Sequence, residues 1–313
     1  MTFRPRRSAL YMPASNARAL EKARGLDADV LIFDLEDAVA PDAKVLARQQ
    51  AAAAVRAGGY GRREIVVRIN GLVTPWGPED MIAAAAAAPD AILIPKASSP
   101  GDIMMAAKML RDCGAPATTR LWAMIETPLA LMNIESIART SADPAARLDV
   151  FVLGTNDLAK ETRVRFVPGR APMLAWFSHC LAAARAHGVD VLDGVYNDIA
   201  DAGGFLAECE QGRDFGMDGK TLIHPGQIAV CNAVFSPSEA EQAMAQKIIH
   251  AFGLPENAGK GALQLDGRMV ERLHEAIARR TTAIGAAMAE RAGGQGVPVA
   301  TAPASVPRPP VLA

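Results

Sequence analysis

The sequence predicts an α/β fold: a (β/α)8 TIM barrel with a C-terminal helical lid extension. Three observations carry this. Eight apolar runs of strand length alternate with helix-like segments at intervals of roughly 25 to 40 residues. Several runs are apolar throughout, as strands of a parallel sheet buried on both faces are. Nearly every run ends in a charged or polar residue, where α/β folds build their sites. The rival is a doubly wound open sheet, which normally stops near ~six strands and often carries a glycine fingerprint after the first. Here Met12-Pro-Ala-Ser15 opens no GxGxxG and no GxxxxGK[ST].

The elements follow in order. Ser8 to Pro13 reads as a first strand. A helix over 16–25 starts at the cap Asn16 and stops at Gly25. Val30 to Asp37 is a second strand ending in acids, followed by a helix over 44–57 that stops at Gly58-Gly59. Glu64 to Asn70 is the third strand, with Arg68 and Asn70 on one face by period-2 alternation. After a helix over 79–88, Ala91 to Lys96 is the fourth. A helix over 102–113 leads to the fifth, Leu121 to Glu126, and Pro128 opens the next helix at its first position. Val150 to Asp157 is the sixth. A looser stretch over 160–172 precedes a helix over 173–187. The seventh strand runs from Val189 to Val195. A helix around 202–212 and an eighth strand ending at His224 complete the barrel at residue 235. Beyond it lie a helix over 236–252, an irregular stretch over 253–267, a helix over 268–290 and a Gly/Pro/Ala/Val-rich tail over 291–313, expected to be disordered. The segment 236–290 has no place in a closed barrel and suits a lid or an oligomer contact.

Half of the 313 residues are hydrophobic, enough for a large core, and the formal net charge is −1. That balance argues against nucleic acid or a membrane surface recognised through bulk charge. Cys113, Cys180, Cys209 and Cys231 are widely spaced without a CxxC pair, so they read as reduced thiols. The basic start has no apolar core of a secretory signal, and no run reaches the ~18 apolar residues of a membrane span. A soluble cytoplasmic protein is expected.

The strand ends deliver Glu36 and Asp37, Arg68 and Asn70, Lys96, Glu126, Asp157, Asp193 and His224 to one rim. Polar loops explain about half of these. They explain Arg68 less well, because a guanidinium inside Ile-Val-Val-Arg-Ile-Asn needs an anionic partner. Acids on neighbouring strands suit Mg²⁺, which keeps waters and takes one or two protein carboxylates. Zinc would ask for His or Cys, and His224 alone is near. Such a site fits making or breaking a carbon–carbon bond next to a carbonyl. Lys96 as a Schiff-base lysine is the weaker alternative. Arg163, Arg165 and Arg170 form a solvated loop or meet a phosphate.

Seven motifs in order make the sequence resemble a known family. They are Arg7-Ser-Ala-Leu-Tyr-Met-Pro-Ala-Ser-Asn, Phe33-Asp-Leu-Glu-Asp-Ala-Val, Val67-Arg-Ile-Asn, Ile94-Pro-Lys, Ile125-Glu-Thr-Pro, Leu153-Gly-Thr-Asn-Asp-Leu and Gly219-Lys-Thr-Leu-Ile-His-Pro. Together they resemble the HpcH/HpaI aldolase and citrate lyase β-subunit (CitE-like) family, on its malyl-CoA and citramalyl-CoA lyase side. The resemblance implies a carbon–carbon lyase. It would use Mg²⁺ (or Mn²⁺) to cleave or condense a 3-hydroxyacyl-CoA thioester, giving acetyl-CoA or propionyl-CoA and glyoxylate or pyruvate. By position, Glu126 and Asp157 look like the metal ligands. Arg68 looks like the catalytic and substrate-holding cation, and Tyr11, Arg18 and Lys22 match positions that meet CoA. Ile223 and His224 border the substrate, and Glu36 and Asp37 order the site. The family's lid aspartate, an acid–base residue often acting in a neighbouring subunit, is replaced here by Glu271. A homo-oligomer, a trimer or a hexamer of trimers, is implied. The alternatives are a 2-keto-3-deoxy acid aldolase without CoA, a citrate lyase β subunit working inside a multi-chain complex, and an inactive barrel.

Overall fold

A computed structural model describes residues 4–292. The chain divides into two compact units, one spanning 6–235 and the other 236–292 with residues 4 and 5.

The first unit is a closed barrel of eight parallel strands in sequence order. They are β1 (Ser8–Pro13), β2 (Val30–Asp34), β3 (Glu64–Arg68), β4 (Ala91–Ile94), β5 (Arg120–Ile125), β6 (Leu148–Leu153), β7 (Asp190–Asp193) and β8 (Gly219–Leu222). β1 pairs with both β2 and β8, which closes the ring. Alternation divides the side chains between two cores. Ala9, Ile32, Val66, Leu93, Trp122, Met124, Val152 and Leu192 fill the interior, while Leu31, Phe33, Val67, Phe151 and Val191 pack under the helices. Arg6 ties the interior to its neighbours at the N-terminal end. Its guanidinium donates to Glu64 at 2.8 and 2.9 Å and to Asp190 at 2.7 Å, and lies 5.2 Å from the Trp122 ring centroid.

β1 ends where expected, and the other seven strands stop one to four residues short of their expected ends. β2 stops at Asp34, because that carboxylate accepts the backbone N–H groups of Glu36 (2.9 Å) and Ala38 (3.0 Å) and folds the chain into a turn. β6 stops at Leu153, so Asp157 stands in the first turn of the helix Thr155–Thr162, where the helix dipole favours an acid. β7 and β8 stop at Asp193 and Leu222, two residues before the expected ends at Val195 and His224.

In the second unit, the helix Glu239–Gly253 is opened by a Ser238/Glu241 capping box. The stretch read as irregular and then helical is instead partly a hairpin, β9 (Ala262–Leu265) against β10 (Arg268–Glu271), and the last helix begins at Arg272. Asp266 and Gly267 both have positive φ, 49° and 77°, as a two-residue type I′ turn requires. From residue 293 on, the expected tail lies outside the described residues. Among the described residues, no helix is long and apolar enough to cross a membrane.

Candidate active site

A cavity of about 300 Å³ opens at the C-terminal ends of the strands, lined by Tyr11, Asp34, Asp37, Arg68, Met124, Glu126, Gly154, Asn156, Asp157, Val195, Thr221 and Ile223 among others. Arg68, the last residue of β3, is buried at its centre. Its anionic partner is Asp34, directly opposite on β2 in the strand register. Arg68 Nε donates to Asp34 Oδ1 and Nη2 donates to Oδ2, both at 2.6 Å, a bidentate pair. The remaining nitrogen, Nη1, lies 3.1 Å from Glu36 Oε2 and 3.2 Å from Asp37 Oδ2. The Tyr11 ring covers the guanidinium face, 4.7 Å from centroid to Cζ.

Glu126, just past β5, is 1 % exposed. Its Oε1 accepts the Lys96 backbone N–H at 2.8 Å, and its Oε2 is buried with no hydrogen-bond partner. Lys96 aims that N–H from a left-handed backbone conformation (φ 54°) sparsely populated by non-glycine residues. Burial pushes the Glu126 carboxyl up to about 8, and nearby Glu36 adds to the rise. Burial likewise pushes Glu36 up to about 7, although Arg68 pulls it back. Burial alone would lower the Lys96 amine, but Glu36 (3.4 Å from Nζ), Glu126 and Asp157 outweigh it and raise it. An amine kept protonated does not suit a Schiff-base role. Gly154 makes room for Glu126: a Cβ there would come within 2.6 Å of Glu126 Oε2 and closer still to its Cβ. Among the described residues no three His, Cys, Asp or Glu side chains form a ready metal cage. Of the carboxylates lining the cavity, Asp34 and Asp37 are engaged by Arg68, and Glu126 and Asp157 are left as an open two-carboxylate set of the kind Mg²⁺ accepts with waters.

The cavity thus gathers Tyr11, Arg68, Glu126, Asp157, Asp37 and Ile223, with Glu36 against Arg68. Arg18 and Lys22 are exposed on the helix Ala17–Ala23 and line no part of it. His224 is also exposed, and its Nδ1 accepts the Gly226 N–H at 3.1 Å. Glu271 ends β10 in the second unit. Asp193, expected on the rim, faces outward because Leu192 before it faces the barrel interior. There Asp193 accepts from Arg170 Nη1 (2.7 and 2.9 Å) and Lys220 Nζ (2.8 Å). Burial would raise its carboxyl, but the two cations hold it below the usual range. Arg170 is therefore committed to this buried network rather than to a loop phosphate. Asp34 and Gly154 went unrecognised in the sequence. Asp34 was detectable: Arg68 inside an apolar run called for an acid, and Phe33-Asp34 on the preceding strand offered one.

The family model described as HpcH/HpaI aldolase/citrate lyase matches residues 7–225. The (3S)-malyl-CoA thioesterase of Cereibacter sphaeroides is 50 % identical over 285 residues, covering 91 % of this chain and 96 % of that one. The citrate lyase subunit β of Escherichia coli is 34 % identical over 275 residues, covering 86 % and 89 %. Among solved structures, protein CitE from Mycobacterium tuberculosis in complex with magnesium, acetoacetate and coenzyme A is similar with a TM-score of 0.69. It is 28 % identical and covers 89 % of this chain and 97 % of that one. The eight-stranded barrel and a family-model match spanning nearly all of it agree: this chain belongs to the HpcH/HpaI aldolase/citrate lyase family of enzymes.

Proposed function

We propose that this chain acts with Mg²⁺ on the CoA thioester of a 3-hydroxy acid of the malyl-CoA kind and hydrolyses the thioester to the free acid and CoA. The observation that carries this reading is the 50 % identity, across 96 % of its length, to the (3S)-malyl-CoA thioesterase, against 34 % to citrate lyase β subunits. The site supports it. The mouth gathers five carboxylates (Asp34, Glu36, Asp37, Glu126, Asp157) against two cations (Arg68, Lys96), a poor host for an anionic substrate unless a cation is added. The orphaned Glu126 Oε2, and the Gly154 gap that a Cβ would fill, fit such an ion. Glu126 and Asp157 would hold Mg²⁺, with Mn²⁺ as a substitute. When bound, the ion supplies Lewis-acid polarisation and offsets the mouth's negative charge.

The chain's own residues then divide the work. Arg68 presents Nη1 to a developing oxyanion, held in place by Asp34 and Tyr11. Glu36 and Asp37 flank that nitrogen at 3.1 and 3.2 Å. Tyr11 and Ile223 wall the acyl chain, and Arg18 and Lys22 offer exposed cations to CoA phosphates. Glu271, from the lid of a neighbouring subunit, is assigned the proton transfer. In hydrolysis the carbonyl carbon gains a water oxygen, the C–S bond breaks, and the proton goes to the thiolate. We further propose a homo-oligomer, a trimer or hexamer.

The second reading is carbon–carbon cleavage to acetyl-CoA or propionyl-CoA and a 2-keto acid, favoured by the aldolase/lyase character of the matching family model. The purified enzyme should release free CoA and malate from (3S)-malyl-CoA only with Mg²⁺. Glyoxylate and acetyl-CoA in their place would establish the second reading. Turnover of neither kind, with Mn²⁺ still bound, would sink both and leave the CoA-free aldolase or the multi-chain subunit.

A further inference from the structure

We propose that Asp34 is the positioning residue of this site: one carboxylate both orients the Arg68 guanidinium and folds the turn that brings Glu36 and Asp37 to Arg68's open edge. The inference rests on the reading of Arg68 given above. Asp34 is fully buried. Each of its oxygens takes one guanidinium donor and one backbone donor. Oδ1 accepts from Arg68 Nε (2.6 Å) and Glu36 N–H (2.9 Å). Oδ2 accepts from Arg68 Nη2 (2.6 Å) and Ala38 N–H (3.0 Å). With Nε and Nη2 committed, Nη1 is the edge left for the cavity, between Glu36 Oε2 and Asp37 Oδ2. Guanidinium direction and loop position are therefore one variable, set by one side chain.

An amide cannot do this. In Asp34→Asn one of the two positions becomes an NH₂ that faces two donors. One bond to Arg68 and one bond to the turn are then lost together. The effect on turnover should run through Arg68, and the effect on the backbone should stay local. We expect Asp34→Asn to lower kcat/KM on malyl-CoA ~10²-fold, the scale of a small misplacement of a catalytic group. In the Arg68→Ala background the same change should add nothing, because the group it positions is gone. Hydrogen exchange gives a readout that needs no activity: residues 35–38 should exchange faster in Asp34→Asn while β1 to β8 keep their protection. Should Asp34→Asn not fold, Asp34→Glu keeps the ion pair, moves it by a methylene and is read in the same cycle. Unchanged exchange at 35–38, or a penalty at Asp34 that persists undiminished without Arg68, overturns the proposal. Altered exchange in an enzyme that turns over no malyl-CoA keeps the positioning role and rejects the substrate reading instead.

Discussion

Gly154→Ala isolates the carboxylate at the centre of the proposed metal site. Gly154 has a negative φ of −88°, so an added methyl group meets no backbone penalty of the left-handed kind. What it meets is Glu126. The new Cβ would lie 2.6 Å from Oε2, about 0.8 Å inside the 3.4 Å where ordinary contact begins, and closer still to the Glu126 Cβ. Because the Cβ belongs to the stem of the side chain, rotating the carboxylate does not relieve the clash, and β5 and β6 must part or Glu126 must be displaced. Overpacking of this kind costs about 1–3 kcal/mol, a fall of several degrees in Tm. A shift near 1 Å in a reacting or ligating group costs ~10²-fold. Mn²⁺ titration followed by electron paramagnetic resonance should show affinity weakened at least ~10-fold, with kcat/KM down further. Gly194→Ala serves as the control. Its Cβ would strike Thr155 and come within 2.8 Å of the Leu153 carbonyl, a similar clash that leaves Glu126 alone. Gly154→Ala with wild-type Mn²⁺ affinity, or Gly194→Ala losing just as much, would refute the assignment of Glu126 Oε2 to the cation.

Three further outcomes are expected. Glu126→Gln should abolish Mn²⁺ binding yet raise Tm in chelator. The Glu126 carboxyl rises from 4.5 to about 8 on folding, so its contribution is whole below pH 4.5 and is lost as pH climbs towards 8. The Tm advantage of the non-titrating Gln should accordingly widen from pH 4.5 to 8; a constant gap would contradict it. Asp193→Asn strands the buried Arg170 and Lys220 cations and should cost about 3–5 kcal/mol in urea unfolding. Glu271→Asp shortens the proposed proton carrier by a methylene. It should change kcat by ~10-fold or more with little change in KM, measured by steady-state CoA release, and an unaltered kcat would remove Glu271 from the reaction.

The barrel was legible because its signal is cumulative: eight apolar runs at regular spacing survive errors at each end. Those ends were misread wherever a side chain captured the backbone. Asp34 draws the N–H groups of Glu36 and Ala38 into a turn, and Thr155 begins a helix directly after Gly154, so acids two to four residues past the strands were counted as strand ends. The inward or outward sense of a terminal residue depends on register, which alternates every residue. This is why Glu126 reached the cavity and Asp193 did not. The Asp266-Gly267 turn was in plain sight as a hairpin signal and was masked by the helical pattern that follows it. Arg68 was recognised as needing an anion. Its partner went unnoticed because strand pairing, not sequence distance, sets Asp34 opposite it.

The distribution of charge compensation is itself an argument for a cation at the mouth. At the opposite end of the barrel Glu64 and Asp190 are both met by Arg6. Outside the strands Asp193 is met by Arg170 and Lys220. A sequence able to place cations on those acids leaves the mouth different. Among the described residues, Glu126 Oε2 is buried there with no hydrogen-bond partner, while Glu36 Oε2 has only a share of Arg68 Nη1, which is 3.1 Å away and also 3.2 Å from Asp37; burial raises both carboxyls. An unsatisfied buried acceptor costs about 1–3 kcal/mol, more when ionised. A protein cation could remove that cost, but it would also occupy the place where the substrate must bind. A divalent ion that arrives with its waters removes it without closing the site, because those waters can yield to substrate oxygens. The acids at the mouth are therefore understandable as half of an arrangement whose other half is supplied from solution.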